Sequence, residues 1–342
     1  MAILLRVQKW LRAVALACLW PSLALAQTQP LPPRPIDIAP WFTQSFLDLP
    51  DELAAATRDR KRLLLYFGQD GCPYCRRLME EGFAQQAIVD KARANFRAIA
   101  FDIWGDLDVV WIDGRRMSEK QLARLLKVQF TPTLVFLDEQ GRPGTRLNGY
   151  WPPHRLSVAL DYVIAREDRI SLADHLAAHV KEPARAELND EPFLLKPPFD
   201  LRRRKGAKPL AVLFETRQCQ ACDEMHAEGL RRPEMRALLK RFDVARFALD
   251  DARTITAPDG RAVGARDWAR ALRVAYTPSV VFFDDTNREV FRFEGYVRPF
   301  HLSGAFDYVA QGAYRTQPEF QRFLHDKAER ARERGETIDL WR

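Results

Sequence analysis

The chain predicts an α/β fold built as two tandem domains, each a central mixed β-sheet flanked by helices. Three observations carry this. Two Cys-x-x-Cys pairs, Cys72 with Cys75 and Cys219 with Cys222, have their first cysteines 147 residues apart. Each pair is followed by a Thr-Pro, Thr131-Pro132 and Thr277-Pro278, whose prolines are 146 residues apart. Further matches follow in order: residues 63–67 with 210–214 at an offset of 147, then Asp113-Gly114-Arg115 with Asp259-Gly260-Arg261, Gly149-Tyr150 with Gly295-Tyr296, and Asp161-Tyr162-Val163 with Asp307-Tyr308-Val309 at 146. One shared spacing is weak evidence; an ordered series marks a repeated unit.

Each element follows from local pattern. Residues 63–67 form a continuous apolar run, the signature of a strand buried on both faces. Residues 68–71 turn the chain, and a helix begins at Cys72 and continues over 76–82. A second helical stretch over 85–94 leads into a strand over 96–103. Asp113-Gly114 turns a hairpin between residues 109 and 116. A helix over 118–127 precedes Thr131-Pro132, a strand over 134–137 turns back through 146–149, and a helix over 153–165 closes the unit. The second copy repeats the order, so a βαβ half joins a ββα half in each domain. The expected division is a leader at 1–26, a proline-rich tether at 27–40, domain one at 41–182, a linker at 183–208 and domain two at 209–342 with a helical C-terminal tail.

The N-terminus bears on compartment. Arg6, Lys9 and Arg12 precede a short apolar stretch over 13–20, and Ala24-Leu25-Ala26 supplies a small-x-small cleavage site. That order reads as a secretory signal peptide, and its apolar core is too short to span a bilayer, so no stable membrane insertion is expected. Cys18 falls in the leader, which leaves the mature chain only its two Cys-x-x-Cys pairs. The formal charge of +7 becomes +4 without the three leader cations. Acids and bases are interspersed elsewhere, apart from Arg202-Arg203-Arg204-Lys205 and the Arg-rich tail over 330–334. Both runs read as solvated surface, and no groove-reading motif accompanies them, which argues against a nucleic-acid partner.

The chemistry is that of a dithiol. A cysteine in the first turn of a helix faces unpaired N–H groups and the positive end of the macrodipole, both of which favour thiolate over thiol. Cys72 and Cys219 are therefore the expected nucleophiles, with Cys75 and Cys222, one turn inward, as resolving thiols. A structural disulfide is the plainer reading, but closing so short a loop adds little stability. Metal binding is the alternative from another class, either through both pairs or through Cys219, Cys222 and His226 with soft copper or zinc. The pairs lie in separate domains, and His226 aligns with Met79, so His226 is expected on a helix surface and no metal site is assigned. His154 and His301 recur at helix starts, where capping or surface placement is expected. Covalent haem is disfavoured because Arg76 and Asp223 follow the second cysteines. No Gly-x-Gly-x-x-Gly fingerprint offers a nicotinamide site, and no cofactor is expected.

These residues resemble the thioredoxin-like superfamily over nearly the whole of both repeats, most closely the secreted bacterial proteins of the SoxW type. The shared features are a Cys-x-x-Cys after a short buried strand, an insertion with an Asp-Gly turn before the Thr-Pro, and a Gly-Tyr segment ahead of the last helix. The resemblance implies that Pro132 and Pro278 are cis prolines facing the cysteines, with Thr131 and Thr277 offering backbone groups to a bound substrate. It also implies a periplasmic thiol-disulfide oxidoreductase, acting on disulfide-bearing protein substrates or on small disulfides and recharged by a membrane thiol carrier of the DsbD or CcdA kind. Oxidase or isomerase action is the alternative within the class, and a peptide-binding scaffold with an inactive second domain is another. Two departures stand out. The Trp that precedes the first cysteine in the family is Gly71 or Gln218 here, and the buried acid six residues before it is Tyr66 or Leu213. Cys-Pro-Tyr-Cys also occurs in glutaredoxins, which keeps glutathione chemistry in view.

Overall fold

Each repeat is organised by a strand that runs straight into the dithiol helix. In the computed structural model, which describes residues 34–166, 170–181, 184–274 and 276–336, the first repeat opens with α1 (Leu49–Arg58) and β1 (Arg62–Gly68). It continues through α2 (Pro73–Arg77), α3 (Gln86–Asn95), β2 (Phe96–Asp102), β3 (Asp108–Val110), β4 (Arg116–Ser118) and α4 (Glu119–Leu125). β5 (Thr133–Leu137), β6 (Pro143–Asn148), α5 (Pro153–Ala165) and α6 (Leu172–His179) complete it. The expected leader and residues 27–33 of the expected tether lie outside the described residues.

The second repeat follows the same course. It contains β7 (Leu210–Glu215), α7 (Gln220–Glu224), α8 (Pro233–Leu239), β8 (Asp243–Ala248), β9 (Thr254–Thr256), β10 (Ala262–Gly264) and α9 (Ala265–Ala271). Then come β11 (Ser279–Phe283), β12 (Glu289–Glu294), α10 (Pro299–Ala310) and α11 (Phe320–Glu333). α2 and α7 both run on into a π-helical turn, Leu78–Gly82 and Met225–Leu230. Such wide turns re-aim a helix and recur at functional sites.

The sheets are equivalent. The first has the order β2-β1-β5-β6, with β1 parallel to β2 and antiparallel to β5; the second has β8-β7-β11-β12 with the same senses. Mixed sheets flanked by helices were the expected fold class, and that is the architecture. β1 and β7 are central, and the residues from Leu63 to Phe67 and from Leu210 to Phe214 are all nearly shut off from solvent, as their continuous apolar runs require.

Two elements had no strong sequence signal. α1 forms because Asp48 caps it, accepting the Asp51 N–H at 3.2 Å, with Pro50 in its first turn. α6 forms because Ser171 and Asp174 make a reciprocal capping box. The residues leading into β7 lie along the second repeat. Leu195 donates its N–H to the Val244 carbonyl at 2.8 Å, and Leu201 donates to Thr256 at 2.9 Å. Leu194 and Leu201 are buried there. Within the basic run Arg203 departs from solvated surface, because its guanidinium is 5% exposed and pairs with Asp243 at 2.6 Å.

The repeats interlock by exchange of aromatic residues. Phe130, just ahead of Thr131, is buried in the core of the second repeat, against Phe320 at 5.2 Å and Phe291 at 6.0 Å between ring centroids. Tyr276, just ahead of Thr277, is buried in the core of the first, against Trp151 at 5.3 Å. Burying a side chain of this size contributes about 1.5–3 kcal/mol.

Candidate active site

Cys72 and Cys219 are the N-cap residues of α2 and α7, and each sulfur accepts the N–H of the second cysteine of its pair at 3.1 Å. Both pairs are disulfide-bonded, with Cα atoms 5.3 and 5.2 Å apart. The position before each N-cap has a positive φ, 73° at Gly71 and 55° at Gln218. Glycine takes that conformation freely, whereas glutamine is strained by it.

The Thr-Pro loops meet the dithiols. The Thr131 hydroxyl donates to Cys72 Sγ at 3.4 Å, and the Thr131 carbonyl oxygen lies 3.6 Å from the same sulfur. In the second repeat the Thr277 hydroxyl is 3.7 Å from Cys219 Sγ and 2.9 Å from the Thr216 hydroxyl. The Thr131-Pro132 and Thr277-Pro278 peptides are both cis. Each proline carbonyl accepts an N–H from the Gly-Tyr segment, Gly149 at 2.8 Å and Gly295 at 2.7 Å. Both glycines hold positive φ, 74° and 88°, so the recurring Gly-Tyr is the turn that fixes the loop.

Behind the dithiols the repeats differ. Tyr66 is buried in the first, and burial raises its hydroxyl pKa, with Asp102 and Asp70 adding to the rise. The second repeat holds a buried polar chain. His226 is fully buried, its Nε2 2.6 Å from Glu215 Oε1 and its Nδ1 3.3 Å from Glu191 Oε1, and Arg231 Nε donates to Glu191 at 2.6 Å. The surface placement expected for His226 is thus corrected. One helical turn beyond Cys222, it shares the inward face of that helix, as does its buried counterpart Met79. Both imidazole nitrogens face carboxylates rather than the cysteines. Glu215 is a buried acid four residues before Cys219, where the first repeat has Gly68, so the repeat pattern carries no signal for it.

Residues next to both dithiols line one cavity of about 470 Å³ between the repeats, whereas none of the four cysteines does. Tyr74, Thr131, Gln220, Ala221 and Thr277 line it. At one end a lining tyrosine, glutamate and arginine are bonded together, and at the other the lining Tyr296 and Arg298 share Glu228, which is not part of the wall. Tyr150 donates to Glu81, and Arg77 bonds Glu81 at 2.5 Å with its guanidinium 4.7 Å from the Tyr150 ring centre. Tyr296 donates to Glu228 at 2.7 Å, and Arg298 bonds Glu228 at 3.0 Å with its guanidinium 5.6 Å from the Tyr296 ring centre. Burial, then the bond to Glu81, pushes the Tyr150 hydroxyl up to about 12, and the Arg77 hydrogen bond holds Glu81 below its ordinary range. Burial raises Glu224, with Glu228 adding to it.

His301 belongs to this wall, which corrects its expected capping or surface role. Its ring meets Tyr74 edge-on at 5.2 Å, and its Nδ1 is shut off from solvent with no hydrogen-bond partner among the described residues. Burial lowers its pKa to about 4. His154 is exposed in the first turn of α5.

Each dithiol is also approached by a helix of the other repeat. Ala173, Leu176 and Ala177 of α6 share a small cleft with Cys219 and Thr277. Gln321 of α11 donates to the Gln129 carbonyl at 2.9 Å and accepts from Gln69 at 3.3 Å, beside the Cys72 turn. Cys72 is 5% exposed, whereas Cys219 is half-buried.

A model of the thioredoxin-like domain matches residues 49–164 and again 202–310. Among solved structures, a thioredoxin-fold protein from Helicobacter pylori is 28% identical over 35% of this chain and 83% of its own, with a TM-score of 0.31. A thioredoxin from Thermus thermophilus is 23% identical over 35% of this chain and 87% of its own, with a TM-score of 0.29. A disulphide isomerase from Xylella fastidiosa is 20% identical over 32% and 74%, with a TM-score of 0.24. No curated protein matches the chain.

Proposed function

Because the chain belongs to the thioredoxin-like domain family, we propose that it is a thiol-disulfide oxidoreductase with two working Cys-x-x-Cys sites. The observation that carries this is the matched placement of both pairs: each first cysteine caps a helix and touches the threonine of its Thr-Pro loop. In the reduced protein the helix N–H groups that now meet each sulfur stabilise a thiolate there. That thiolate attacks one sulfur of a substrate disulfide and forms a mixed disulfide as the other sulfur leaves. Cys75 or Cys222 then attacks Cys72 or Cys219, releasing the second substrate thiol and closing the protein's own disulfide. Thr131 and Thr277 hold the substrate edge beside the attacked sulfur.

The SoxW-type likeness and the leader-like N-terminus support a periplasmic reductase, recharged by a membrane thiol carrier of the DsbD or CcdA kind. The test is dithiothreitol-driven turnover of a chromogenic disulfide by the Cys72→Ser/Cys75→Ser variant, the Cys219→Ser/Cys222→Ser variant and the protein lacking all four cysteines. Each variant that keeps one dithiol should retain part of the activity and the last none. Full activity without the four cysteines would overturn the proposal.

A further inference from the structure

Gln321 of α11 joins the two walls of the gap in which Cys72 meets Thr131. Its Nε2 donates to the carbonyl of Gln129, just ahead of the Thr-Pro loop, at 2.9 Å, and its Oε1 accepts from Gln69 Nε2 at 3.3 Å. Gln69 belongs to the turn into the dithiol helix: its carbonyl accepts the Cys72 N–H at 3.3 Å, and its side-chain oxygen accepts from Trp104 Nε1 at 2.6 Å. Across the gap, the Thr131 hydroxyl is 3.4 Å from Cys72 Sγ. Cys72 is 5% exposed and lines neither the cavity between the repeats nor the small cleft at Cys219.

Other contacts hold α11 in place. Phe320, Phe323 and Leu324 are buried in the core of the second repeat. Glu319 pairs with Arg124 at 2.5 Å, and the Arg322 guanidinium lies 5.4 Å from the Trp104 ring centre. Gln321 itself is half-buried, and turning it to another staggered rotamer breaks two neutral hydrogen bonds without moving the helix. The second dithiol is different. Thr216 stands where the first repeat has Gln69 and bonds Thr277 of its own repeat at 2.9 Å, and Cys219 opens on the cleft lined by Ala173, Leu176 and Ala177.

We propose that Gln321 is a specificity-determining residue of the first dithiol, because its amide closes the groove beside Cys72 to a polypeptide chain until the side chain turns away. The inference rests on the oxidoreductase reading and adds to it a restriction on the partners of one site. A protein disulfide brings backbone on both sides of its sulfur, and that backbone has to pass between Gln69 and Gln129, where the bridge crosses. A small disulfide needs only the sulfur itself. The second repeat thereby governs which partners reach Cys72, while the Cys219 site lies on its own cleft and is independent of Gln321.

The experiment uses two full-length proteins, one carrying Cys219→Ser/Cys222→Ser and the other Cys72→Ser/Cys75→Ser, each with and without Gln321→Ala. The reduced proteins are oxidised with insulin, a protein disulfide, and with cystamine, a small one. Where only the first dithiol remains, Gln321→Ala should speed the reaction with insulin by about tenfold, the worth of two neutral hydrogen bonds. The cystamine rate should stay nearly the same, and where only the second dithiol remains neither rate should change. Gln321→Met keeps the length of the side chain, loses both bonds and should act alike, which carries the test if Gln321→Ala fails to fold. An unchanged insulin rate in the folded variants, or an equal gain with cystamine or at Cys219, would overturn the bridge and leave the oxidoreductase standing. No oxidation of either dithiol by either disulfide would overturn the oxidoreductase reading itself.

Discussion

The Asn148 backbone N–H donates to the Tyr276 hydroxyl at 3.1 Å, across the boundary between the repeats. That hydroxyl donates in turn to the Glu294 carbonyl at 2.9 Å, while the ring is 1% exposed in the core of the first repeat. One side chain therefore joins the last sheet strands of both repeats, next to the threonine that touches Cys219.

Tyr276→Phe removes this hydroxyl and leaves the Asn148 N–H without that acceptor. The expected loss is about 1–3 kcal/mol of unfolding free energy, measured by urea denaturation. Tyr276→Ala should lose about 3–5 kcal/mol, because it also empties a buried aromatic site. Equal stability for Tyr276→Phe and the parent would show that the bond contributes nothing.

His226→Leu strands Glu215 in the core of the second repeat without the partner 2.6 Å away. Leaving a buried polar group without its hydrogen-bond partner costs about 1–3 kcal/mol, and more where the group is charged. Met79→Leu at the equivalent place should cost under about 1.5 kcal/mol, as a volume-conserving apolar change. Similar losses for the two variants, by urea denaturation, would contradict the polar account of His226.

Gln218 holds a φ of 55° and Gly71 one of 73° at the same place in their repeats. Gly71→Gln should therefore destabilise by about 1–2 kcal/mol, whereas Gln218→Gly should be neutral or slightly stabilising. Thermal melts of both variants check the sign, and a stabilising Gly71→Gln would sink the argument.

His301 has a folded pKa lowered to about 4 from an ordinary 6.5. Between those values the unfolded chain binds a proton that the folded protein does not, so this group withdraws stability as pH falls from about 6.5 towards 4. Above that window its contribution is flat. His301→Gln should reduce the drop in melting temperature between pH 7 and pH 4.5, and an unchanged drop would contradict the half-buried, neutral imidazole.

Much of this was legible in the chain because the repeat states each feature twice. The buried runs ahead of Cys72 and Cys219, the helix starts at those cysteines and the Gly-Tyr turns all follow from local pattern. Phe130 and Tyr276 were not legible as exchanged residues, since an apolar side chain before a Thr-Pro reads the same whichever core receives it. The capping boxes and caps of short helices such as α6 are weak in sequence because they involve one or two polar side chains. For His226 helical phase outweighs residue type: four residues from the buried Cys222, it faces inward. The cavity and its paired Tyr-Glu-Arg ends depend on distant segments meeting, which spacing alone does not reveal.

The central claim is that Cys72 and Cys219 attack and Cys75 and Cys222 resolve. It is tested most directly by mass spectrometry of the Cys75→Ser/Cys222→Ser protein after exposure to a disulfide substrate. The account predicts an accumulated mixed disulfide on Cys72 and on Cys219, and none in the Cys72→Ser/Cys219→Ser protein. Adducts that form on Cys75 and Cys222 when the first cysteines are replaced, with none in the reverse variant, would contradict it.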